Sequence, residues 1–481
     1  MLDPRRLIVL CLLPFIFLGP VTAEEETEFF RKSGGIVPDG QHLPEDFTKD
    51  AQLLWRTPLK PGHSSPCVVG DHIFLTTFDS QKKQLATVAL ERTTGEVLWT
   101  RTVPTETIEA FHRAGSPAAS SAASNGHQVF VFFGSYGLLC YDLAGKLLWE
   151  KKLGPFQDEF GASSSPVLVN DLIVLNEDHD VDSYLIAIDQ KTGKTVWRES
   201  RAEQARSYST PVIWDGGNNQ KQIIVAGSLQ LAAYDPASGK KVWWVNGLSR
   251  IVDSTPVVTK DAIYMATWTP GGDVSQRIKM EPFDEAIAEM DKNKDNKISK
   301  SELPAGSPVI PRFFRIDLDQ DETLDQHEWE RHASVFAKAQ NVAMSVRPGG
   351  RGDVTNTHVR WVVRRGLPTV PSSTVYDGVL YMVKDSGIIT SLDIDTGEIL
   401  QQGRAEGGGN YYASLIAGDG KVYLTSERGV ITVLRASRSW TVLSSHDFKE
   451  RIVATPVARQ QTMFVRTDAA LYAYRKRSST R

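Results

Sequence analysis

The chain repeats a unit of about forty residues from residue 64 onward. Each unit opens on small residues rich in Ser and Thr, continues through two hydrophobic segments, turns at Thr-Gly or a similar pair, and ends on a segment that carries a tryptophan. Units of this length stack side by side because a single unit cannot bury its own hydrophobic faces. The eight openings are Ser64-Ser65-Pro66, Ser120-Ser121-Ala122, Ser164-Ser165-Pro166, Ser209-Thr210-Pro211, Ser254-Thr255-Pro256, Ser372-Ser373-Thr374, Ala413-Ser414-Leu415 and Ala454-Thr455-Pro456.

The two ends of this array complement each other. The last unit stops at Tyr474 without a tryptophan segment, whereas Leu53-Leu54-Trp55-Arg56-Thr57 lies near the start with no unit before it. Pairing that segment with the last unit would close a ring and leave no open sheet edge. The sequence therefore predicts an all-β, eight-bladed β-propeller with four-stranded antiparallel blades, closed by the N-terminal strand and carrying a small α-helical insertion.

The tryptophans have a structural explanation in such a ring. The Thr-Gly pair supplies a tight turn, because glycine adopts positive φ without strain. The large indole ring that follows is expected to pack between neighbouring blades, where it buries the most surface. We therefore predict a packing role rather than a ligand-binding role for Trp55, Trp99, Trp149, Trp197, Trp243 and Trp361.

The N-terminus predicts export from the cytoplasm. Arg5 and Arg6 precede an apolar run over residues 7–18, and small residues follow up to Ala23. This order is typical of a secretory signal peptide, and the run is shorter than the roughly 20 residues of a membrane-spanning helix. We predict a periplasmic or secreted protein without a stable membrane span, with a signal anchor as the alternative. The net charge of −4 gives no indication of a nucleic-acid partner.

Two cysteines remain after removal of such a signal peptide. Cys67 and Cys140 both lie in hydrophobic segments, where a free thiol behaves as a small apolar side chain. We expect two buried free thiols, and a disulfide between them is the alternative in an exported protein.

One insertion interrupts the repeats, between the fifth and the sixth opening. Residues 291–302 (loop one) place oxygen-bearing side chains at positions one, three, five, nine and twelve, and residues 317–328 (loop two) repeat this pattern. The segment resembles a paired EF-hand, which implies two Ca²⁺ sites, since calcium prefers six to eight oxygen ligands. The expected ligands are Asp291, Asn293, Asp295, Lys297, Ser299, Glu302, Asp317, Asp319, Asp321, Thr323, Asp325 and Glu328, with Lys297 and Thr323 acting through their backbone carbonyls.

Loop details support the resemblance, with two departures. Position eight is apolar in both loops, Ile298 and Leu324, as paired loops require. Position six, usually glycine, is Asn296 in loop one and Glu322 in loop two, and a left-handed glutamate costs roughly 1 kcal/mol. Loop two concentrates more carboxylates and is expected to be the stronger site. The alternative is that both are acidic surface loops that bind no metal.

The flanks of the loops predict short helices. Phe283–Met290 and residues 329–339 have helix-compatible composition, and Pro304 limits any helix after loop one to about one turn. Because the flanking hydrophobic segments belong to the fifth unit, we expect the insertion to emerge from a hairpin of that blade as an appendage at the rim. A structural or interaction role is favoured over a signalling switch.

The repeats themselves resemble the pyrroloquinoline-quinone-like (PQQ-like) repeat family, in particular its exported, BamB-like branch, over residues 51–475 apart from the insertion. The resemblance implies a protein- or peptide-binding scaffold in the cell envelope. The alternative is a PQQ-dependent dehydrogenase that uses the propeller channel. Enzymes of that kind resemble this chain in fold but place adjacent cysteines against the quinone, and no two cysteines are adjacent here. We therefore predict no catalytic residues and do not expect PQQ as a cofactor.

Two further groups of residues are candidates for binding. Residues 177–182 (Glu-Asp-His-Asp-Val-Asp) have the charge of a metal site without its spacing, and a solvated hairpin loop is the favoured interpretation. Six residues near the strand openings are predicted to face the central channel or its mouth, as a polar binding funnel or as ordinary channel lining: Arg206, Tyr208, Asp253, Tyr411, Tyr412 and Arg451.

These observations divide the chain as follows. We predict a signal peptide (1–23), an extended leader (24–50), blades one to four and the first part of blade five together with the closing strand of blade eight (51–270), the EF-hand insertion (271–350), the remainder of the propeller (351–475) and a tail (476–481). The partner, the face it uses and the oligomeric state are left open.

Overall fold

The computed structural model describes residues 27–49, 51–217, 220–273, 275 and 280–477. The predicted signal peptide, residues 1–23, lies outside this range. None of the helices in the described part of the chain is both long and apolar enough to span a bilayer.

Eight sheets form the propeller, as the sequence predicted. The N-terminal strand is Ala51–Pro58 (β1). Blades one to three are built from Cys67–Val69 (β2), His72–Asp79 (β3), Gln84–Glu91 (β4) and Val97–Thr102 (β5); Ala123–Ser124 (β6), Gln128–Phe133 (β7), Gly137–Asp142 (β8) and Leu147–Lys152 (β9); and Val167–Val169 (β10), Leu172–Glu177 (β11), Tyr184–Asp189 (β12) and Thr195–Ser200 (β13). Blade four contains Val212–Asp215 (β14), Lys221–Gly227 (β15), Gln230–Tyr234 (β16) and Lys241–Asn246 (β17).

Blade five carries the insertion. Its strands are Val257–Val258 (β18), Ile263–Thr267 (β19), Val342–Val346 (β22) and Val359–Val363 (β24), and β19 pairs directly with β22. Residues 268–341 therefore leave and re-enter the propeller within one hairpin. They contain Phe283–Met290 (α1), Ile298–Ser299 (β20), Phe313–Ile316 (α2), Thr323–Leu324 (β21) and Gln326–Lys338 (α3), with a 3₁₀ turn at Ile310–Arg312.

The remaining blades continue the four-stranded pattern. Two short elements precede β24: Gly352–Asp353 (β23), which joins the edge of blade four in parallel with β17, and Thr355–His358 (α4). Blades six to eight contain Thr374–Tyr376 (β25), Val379–Lys384 (β26), Ile388–Asp393 (β27) and Ile399–Arg404 (β28); Ile416–Gly418 (β29), Lys421–Thr425 (β30), Val430–Arg435 (β31) and Thr441–Asp447 (β32); and Val457–Arg459 (β33), Thr462–Arg466 (β34) and Ala470–Lys476 (β35), with a 3₁₀ turn at Asp385–Gly387.

The ring is closed by the first strand. Strand β1 pairs antiparallel with β35, which places Trp55 opposite Ala473 and Thr57 opposite Leu471. The N-terminal segment therefore supplies the fourth strand of blade eight, as predicted. Because the two ends of the chain share one sheet, the first repeat is coupled to the last, and β35 does not form an open edge.

Small hydroxyl residues at the repeat openings join successive blades around the axis. In seven of the eight steps that the structure describes, a backbone N–H donates to the hydroxyl of the next blade over 2.8–3.1 Å. The acceptors, in ring order, are Ser121, Ser165, Thr210, Ser372, Ser414, Thr455 and Ser65. All seven acceptors are buried, so the Ser and Thr openings have a packing role as well as a polar one.

The tryptophans interlock neighbouring blades at the periphery. A Cβ added to Gly95, whose φ is +73°, would lie 2.4 Å from the ring of Trp55. The same close approach joins Gly145 to Trp99 at 2.6 Å and Gly397 to Trp361 at 2.7 Å. Each of these indole N–H groups also donates to a backbone carbonyl of the next blade. The predicted packing role is confirmed, and glycine is needed for the close contact as well as for the turn.

The leader crosses one face of the ring instead of extending into solvent. Glu28 forms a backbone bridge with Ser124 of blade two, and Ile36 forms another with Ala417 of blade seven. Between them, the buried Arg31 donates to the Leu415 carbonyl at 3.0 Å. The segment from 28 to 36 thus spans the propeller from one side to the other across the axis.

Candidate metal centre and channel cavity

Loop one and loop two face each other as a pair. Ile298 of β20 lies opposite Leu324 of β21, and both side chains are fully buried. Helices α1 and α3 flank the pair and close a small separate core around Phe283 and Trp329. The apolar residues at position eight therefore make the short β contact that the sequence predicted. The helix predicted at residues 329–339 begins earlier, at Gln326, because Asp325 and Glu328 form a capping box.

Loop one is wrapped around its first and last carboxylates. Asp291 accepts backbone hydrogen bonds from Lys294 at 2.7 Å and from Asn296 at 3.0 Å. Glu302 accepts from the backbone N–H of Lys292 at 3.0 Å and, through its other oxygen, from that of Ser299 at 2.8 Å. These bonds lower the pKa of Glu302, so the carboxylate is ionised at neutral pH.

Loop two repeats the arrangement. Asp317 accepts from the backbone of Glu322 at 3.1 Å, and Glu328 accepts from that of Asp325 at 3.1 Å. Glu322 adopts a φ of +67° and Asn296 of loop one adopts +62°, so position six is left-handed in both loops although neither has glycine. The backbone thus follows one path in both loops despite the different residues at position six.

Carboxylates are more concentrated in loop two. Asp317, Asp319 and Asp321 each place one carboxylate oxygen within 4.8 Å of the others. Burial raises the pKa of Glu328 to about 7 and also raises that of Asp317. Lys297 of loop one forms an ion pair with Asp321. All twelve residues predicted as ligands lie in the paired loops. In loop two the carboxylates lie so close together that their negative charges repel one another.

The insertion lies against the propeller, on the connections of blades three and four. The side chain of Gln157 donates to the backbone carbonyl of Leu318, the second residue of loop two. Arg331 of α3 donates to the carbonyl of Ala202 at 3.1 Å, and Arg315 of α2 lies 3.5 Å from a carboxylate oxygen of Glu159. The sequence suggested an appendage at the rim; the structure instead gives loop two a direct contact with the propeller.

The prediction of a solvated loop at residues 177–182 is wrong for its first four members. Glu177, Asp178, His179 and Asp180 are at most 5% exposed. Their charges are compensated by arginines from the connection to the next blade, with a two-bond pair from Arg201 to Asp178 at 2.7 Å and a second pair from Arg206 to Asp180. Val181 and Asp182 at the tip are exposed.

His179 is held between two carboxylates in this cluster. Its ring nitrogens lie 2.8 Å from Glu177 and 3.3 Å from Asp158, and its ring stacks on Phe156 at 3.8 Å. Burial alone would lower the pKa of His179, but the hydrogen bonds to the two carboxylates raise it to about 10. The imidazolium is therefore the charged form at neutral pH, and the cluster is a buried network of ion pairs rather than a free metal site.

A cavity of about 420 Å³ lies on the propeller axis. Each blade contributes one hydroxyl residue of the central ring to its wall. Of the six predicted funnel residues, Tyr208, Asp253 and Tyr412 line this cavity. The other three do not line it: Arg206 is ion-paired with Asp180, Tyr411 is buried between blades six and seven, and Arg451 borders a different depression.

Sequence reasoning missed the floor and part of the entrance of the cavity. Phe30 of the leader lines this cavity and also a second one of about 430 Å³ beneath the leader. Arg250 and Arg315 lie at the wall of the first cavity. Arg315 had no signal in the repeat pattern, because it belongs to the insertion. Cys67 and Cys140, by contrast, are buried free thiols as expected.

Comparison with known proteins identifies the repeats. The family model for "outer membrane protein assembly factor BamB" matches residues 47–181, 88–267, 181–293 and 333–481. A comparison with curated protein sequences found no match.

Similar solved structures agree on the fold. BamB from Moraxella catarrhalis is 11% identical, with a TM-score of 0.53 over 88% of this chain and 99% of that chain. A europium-containing methanol dehydrogenase is 10% identical, with a TM-score of 0.56 over 94% and 99%. The quinohemoprotein alcohol dehydrogenase ADHIIG from Pseudomonas putida HK5 is 12% identical, with a TM-score of 0.54 over 92% and 79%. At these identities the likeness establishes the propeller fold alone.

Proposed function

The chain belongs to the BamB family of PQQ-like repeat propellers, and from that premise we propose that it is an exported calcium-binding propeller that serves as a protein- or peptide-binding scaffold in the cell envelope. In this proposal two EF-hand loops hold Ca²⁺, and the blades present the binding surface. The signal peptide predicted for residues 1–23 supports export.

One observation carries the calcium proposal: two twelve-residue loops with the EF-hand ligand spacing are paired through Ile298 and Leu324. The spacing wraps one chain around a cation, and a closing glutamate supplies two oxygens. The left-handed backbone at position six and the crowded carboxylates of loop two are further support. Outside the cytoplasm, even sites of millimolar-class affinity would be filled.

The scaffold proposal rests on the family, and it has a direct test. The exported protein would be crosslinked in intact cells, purified, and its partners identified with calcium and with chelator. A paired experiment would compare Glu302→Gln/Glu328→Gln with the control Lys294→Gln/Lys300→Gln. Recovery of the same envelope protein by wild type and control supports a scaffold, and loss with the glutamate variant makes its binding calcium-dependent. Recovery of no specific partner under any of these conditions would contradict the scaffold.

The quinoprotein alternative is favoured by one observation, the cavity on the propeller axis. A planar quinone with carboxylate groups would find Arg250 and Arg315 in its wall, together with Asp253. The purified protein would be incubated with PQQ and assayed for dye-linked oxidation of alcohols and sugars. Turnover that depends on added PQQ would replace the scaffold proposal with a dehydrogenase.

A further inference from the structure

We propose that the outer edge of blade two, strand β9, binds an extended segment of a partner protein by strand addition, and that this segment carries alternating apolar and acidic side chains. Strand β9 is the last strand of its sheet, so one of its two edges pairs with no other strand in the described part of the chain. The inference rests on the proposed scaffold function, for which it names a surface and the chemistry of the partner.

Every blade has one extra residue in its outer strand, directly before the tryptophan or its equivalent. In blade two, Trp149 lies opposite Cys140 and Leu147 lies opposite Tyr141, which leaves Leu148 without a partner in the ladder. The same shift of register occurs in the other seven blades. A β-bulge of this kind re-aims a side chain relative to the regular strand.

The exposure of the bulge residue differs between the blades. In the consecutive blades eight, one, two and three it is aliphatic and 37–51% exposed: Leu54, Leu98, Leu148 and Val196. In blades four, six and seven it packs partly against the core: Val242, Leu400 and Leu443. Blade five has a charged residue, Arg360, at this position. Exposed aliphatic side chains on an open strand edge mark a surface for association.

The outer edge of blade four shows what such an edge accepts. Its outer strand, β17, pairs in parallel with β23, a short extended segment of the chain itself. Asp353 of β23 accepts from the side chain of Asn246 at 2.8 Å, and the backbone N–H of Val354 donates to the carbonyl of Trp244 at 2.9 Å. Val354 is buried in the core between blades four and five. The covering segment thus combines main-chain hydrogen bonds, one carboxylate and one apolar side chain.

The outer edge of blade two has no such cover among the described residues and carries groups that match one. Leu147 is 45% exposed next to Leu148, so two adjacent leucines are accessible to solvent. An extended segment laid along β9 would bury part of both side chains. Its main chain would pair with the open edge, which is how strand addition supplies affinity in other complexes.

Positive charge surrounds these leucines. Lys146 and Lys152 are exposed and Lys151 is half-buried, and none of the three forms an ion pair with a carboxylate among the described residues. The single carboxylate of the strand, on Glu150, accepts from the Tyr136 hydroxyl at 2.6 Å. The edge therefore has an excess of positive charge, which an acidic segment would balance.

The other exposed edges are less suited to an acidic segment. On the outer strand of blade one, the charge of Arg101 is offset by Glu96, which directly precedes the strand. On blade eight, Arg56 already forms an ion pair with Glu450 at 3.0 Å. On blade three, the residue before the bulge is Thr195, so only one aliphatic side chain is exposed there. Blade two alone combines two exposed leucines with unpaired lysines.

The shape of the ring favours one strand on one blade over a flat partner. Eight blades close a circle, so their outer edges point in different directions, and those of blades eight and two lie about a right angle apart. A membrane surface would touch only one or two of these edges. Strand addition needs a single edge, and side-chain contacts beside it supply specificity.

The first test titrates a fluorescein-labelled peptide of about ten residues, in which valine alternates with aspartate or threonine, against the full-length exported protein and follows fluorescence anisotropy. We expect one saturable site whose affinity falls about tenfold in Leu147→Ser/Leu148→Ser, because apolar contacts are lost. Lys151→Gln/Lys152→Gln should lower the affinity about threefold at low salt and less at high salt. The matched control, Val97→Ser/Leu98→Ser on blade one, should bind as wild type does.

Two further measurements show whether the peptide adds as a strand. The same peptide with every backbone nitrogen methylated keeps its side chains but donates no main-chain hydrogen bonds, and it should not bind. A photoreactive benzophenone at the end of the unmodified peptide should label blade two within residues 137–152, as found by mass spectrometry. Equal binding of the methylated peptide, labelling confined to other blades, or no binding by wild type would overturn the proposal.

Failure of this site is distinguishable from failure of the scaffold function. If crosslinking in cells recovers the same partner with wild type and with Leu147→Ser/Leu148→Ser, the scaffold stands and strand addition at β9 is excluded. Binding of phosphatidylglycerol vesicles that depends on these two leucines, without binding of the peptide, would replace strand addition with a membrane contact.

Discussion

Loop one and loop two share the predicted ligand pattern but lie in different surroundings. Among the described residues, the side chains of loop one hydrogen-bond within loop one or to loop two. Loop two, in contrast, begins at Asp317, which is 5% exposed, and its next residue, Leu318, accepts a hydrogen bond from Gln157 of the propeller. Ligand spacing is therefore set by the local sequence, whereas contact with the rest of the molecule is set by where each loop lies.

Loop two is the loop that should affect the propeller when it binds a cation. A cation in loop two would lie between crowded, partly desolvated carboxylates, where its attraction is least screened. A cation in loop one would lie nearer solvent, beside Lys292, Lys294 and Lys300. The positive charges of these lysines would repel the cation and weaken its binding to the carboxylates of the loop. We therefore expect loop two to bind Ca²⁺ more tightly and to transmit its occupancy to blade three.

The largest expected effect is the loss of a closing carboxylate. Glu328→Gln removes the charge of the proposed bidentate ligand of loop two, and we expect the calcium affinity of that loop to fall roughly 10- to 100-fold, the equivalent of about 1.5–3 kcal/mol. Glu302→Gln should have the same effect on loop one alone. Terbium luminescence sensitised by Trp329, which follows loop two, reports mainly on that loop when it is recorded in Glu302→Gln, where loop one is weakened.

The matched control for this prediction is Lys294→Gln. Lys294 is exposed in loop one and is not an expected ligand, so its replacement should weaken neither loop. Equal calcium affinities for wild type and Glu328→Gln would show that loop two does not bind the metal as proposed.

The next effect concerns the ionic cluster beside loop two and appears as a pH dependence of stability. The folded-state pKa of His179 is raised to about 10 from an ordinary value near 6.5. Its contribution to stability is therefore complete below pH 6.5 and is lost as pH rises toward 10, on the order of 1 kcal/mol per pH unit within that window. Denaturant unfolding at pH 7, 8 and 9 should show this decline in wild type.

Two variants separate this effect from general alkaline destabilisation. His179→Gln should be less stable than wild type at pH 7 and should show a weaker decline toward pH 9. His127→Gln, at an exposed position, should keep the wild-type slope. If the His179→Gln slope equals that of wild type, the imidazolium is not the group that titrates.

A smaller effect is expected from the contact between loop two and the propeller. Gln157→Ala removes the hydrogen bond to the Leu318 carbonyl, worth about 0.5–1.5 kcal/mol, without touching a predicted ligand. Calcium should then raise the melting temperature of the propeller less than it does in wild type. Gln81→Ala, at an exposed turn of blade one, is the control. An unchanged calcium-induced shift would mean that loop two and the propeller are energetically independent.

The smallest expected effect is on the ion pair between the loops. The side chain of Lys297 forms an ion pair with Asp321 of loop two. The backbone carbonyl of Lys297, which is the predicted ligand in loop one, takes no part in this pair. Lys297→Gln should raise the calcium affinity of loop two by up to about fivefold, since exposed ion pairs contribute about 0.2–1 kcal/mol. Lys300→Gln should change it less. A loss of affinity in Lys297→Gln would contradict competition between this lysine and the cation.

The propeller was predictable because its signals are local and recur. The hydroxyl residues at the openings, the Thr-Gly turns and the tryptophans each report one contact between neighbouring blades, and Trp55 indicated the closing strand by lacking a unit of its own. The paired loops were predictable for the same reason, because ligand spacing and the apolar position eight lie within twelve residues.

The ionic cluster and the cavity entrance were not predictable, because their partners are distant in sequence or outside the repeats. Asp178 is buried only because Arg201, on the far side of a hairpin, pairs with it. Phe30 reaches the channel through a leader that has no repeat pattern, and Arg315 reaches it through the docking of the insertion. Tyr411, predicted to face the channel, turns into the core between two blades.

Calorimetric titration of the metal-free exported protein with calcium decides whether the two loops bind the metal. We predict heat from two sites of unequal affinity, with the tighter one weakened in Glu328→Gln and the weaker one weakened further in Glu302→Gln. A wild-type protein that shows no calcium-binding heat at millimolar calcium, and no change in its melting temperature, would show that neither loop is a calcium site.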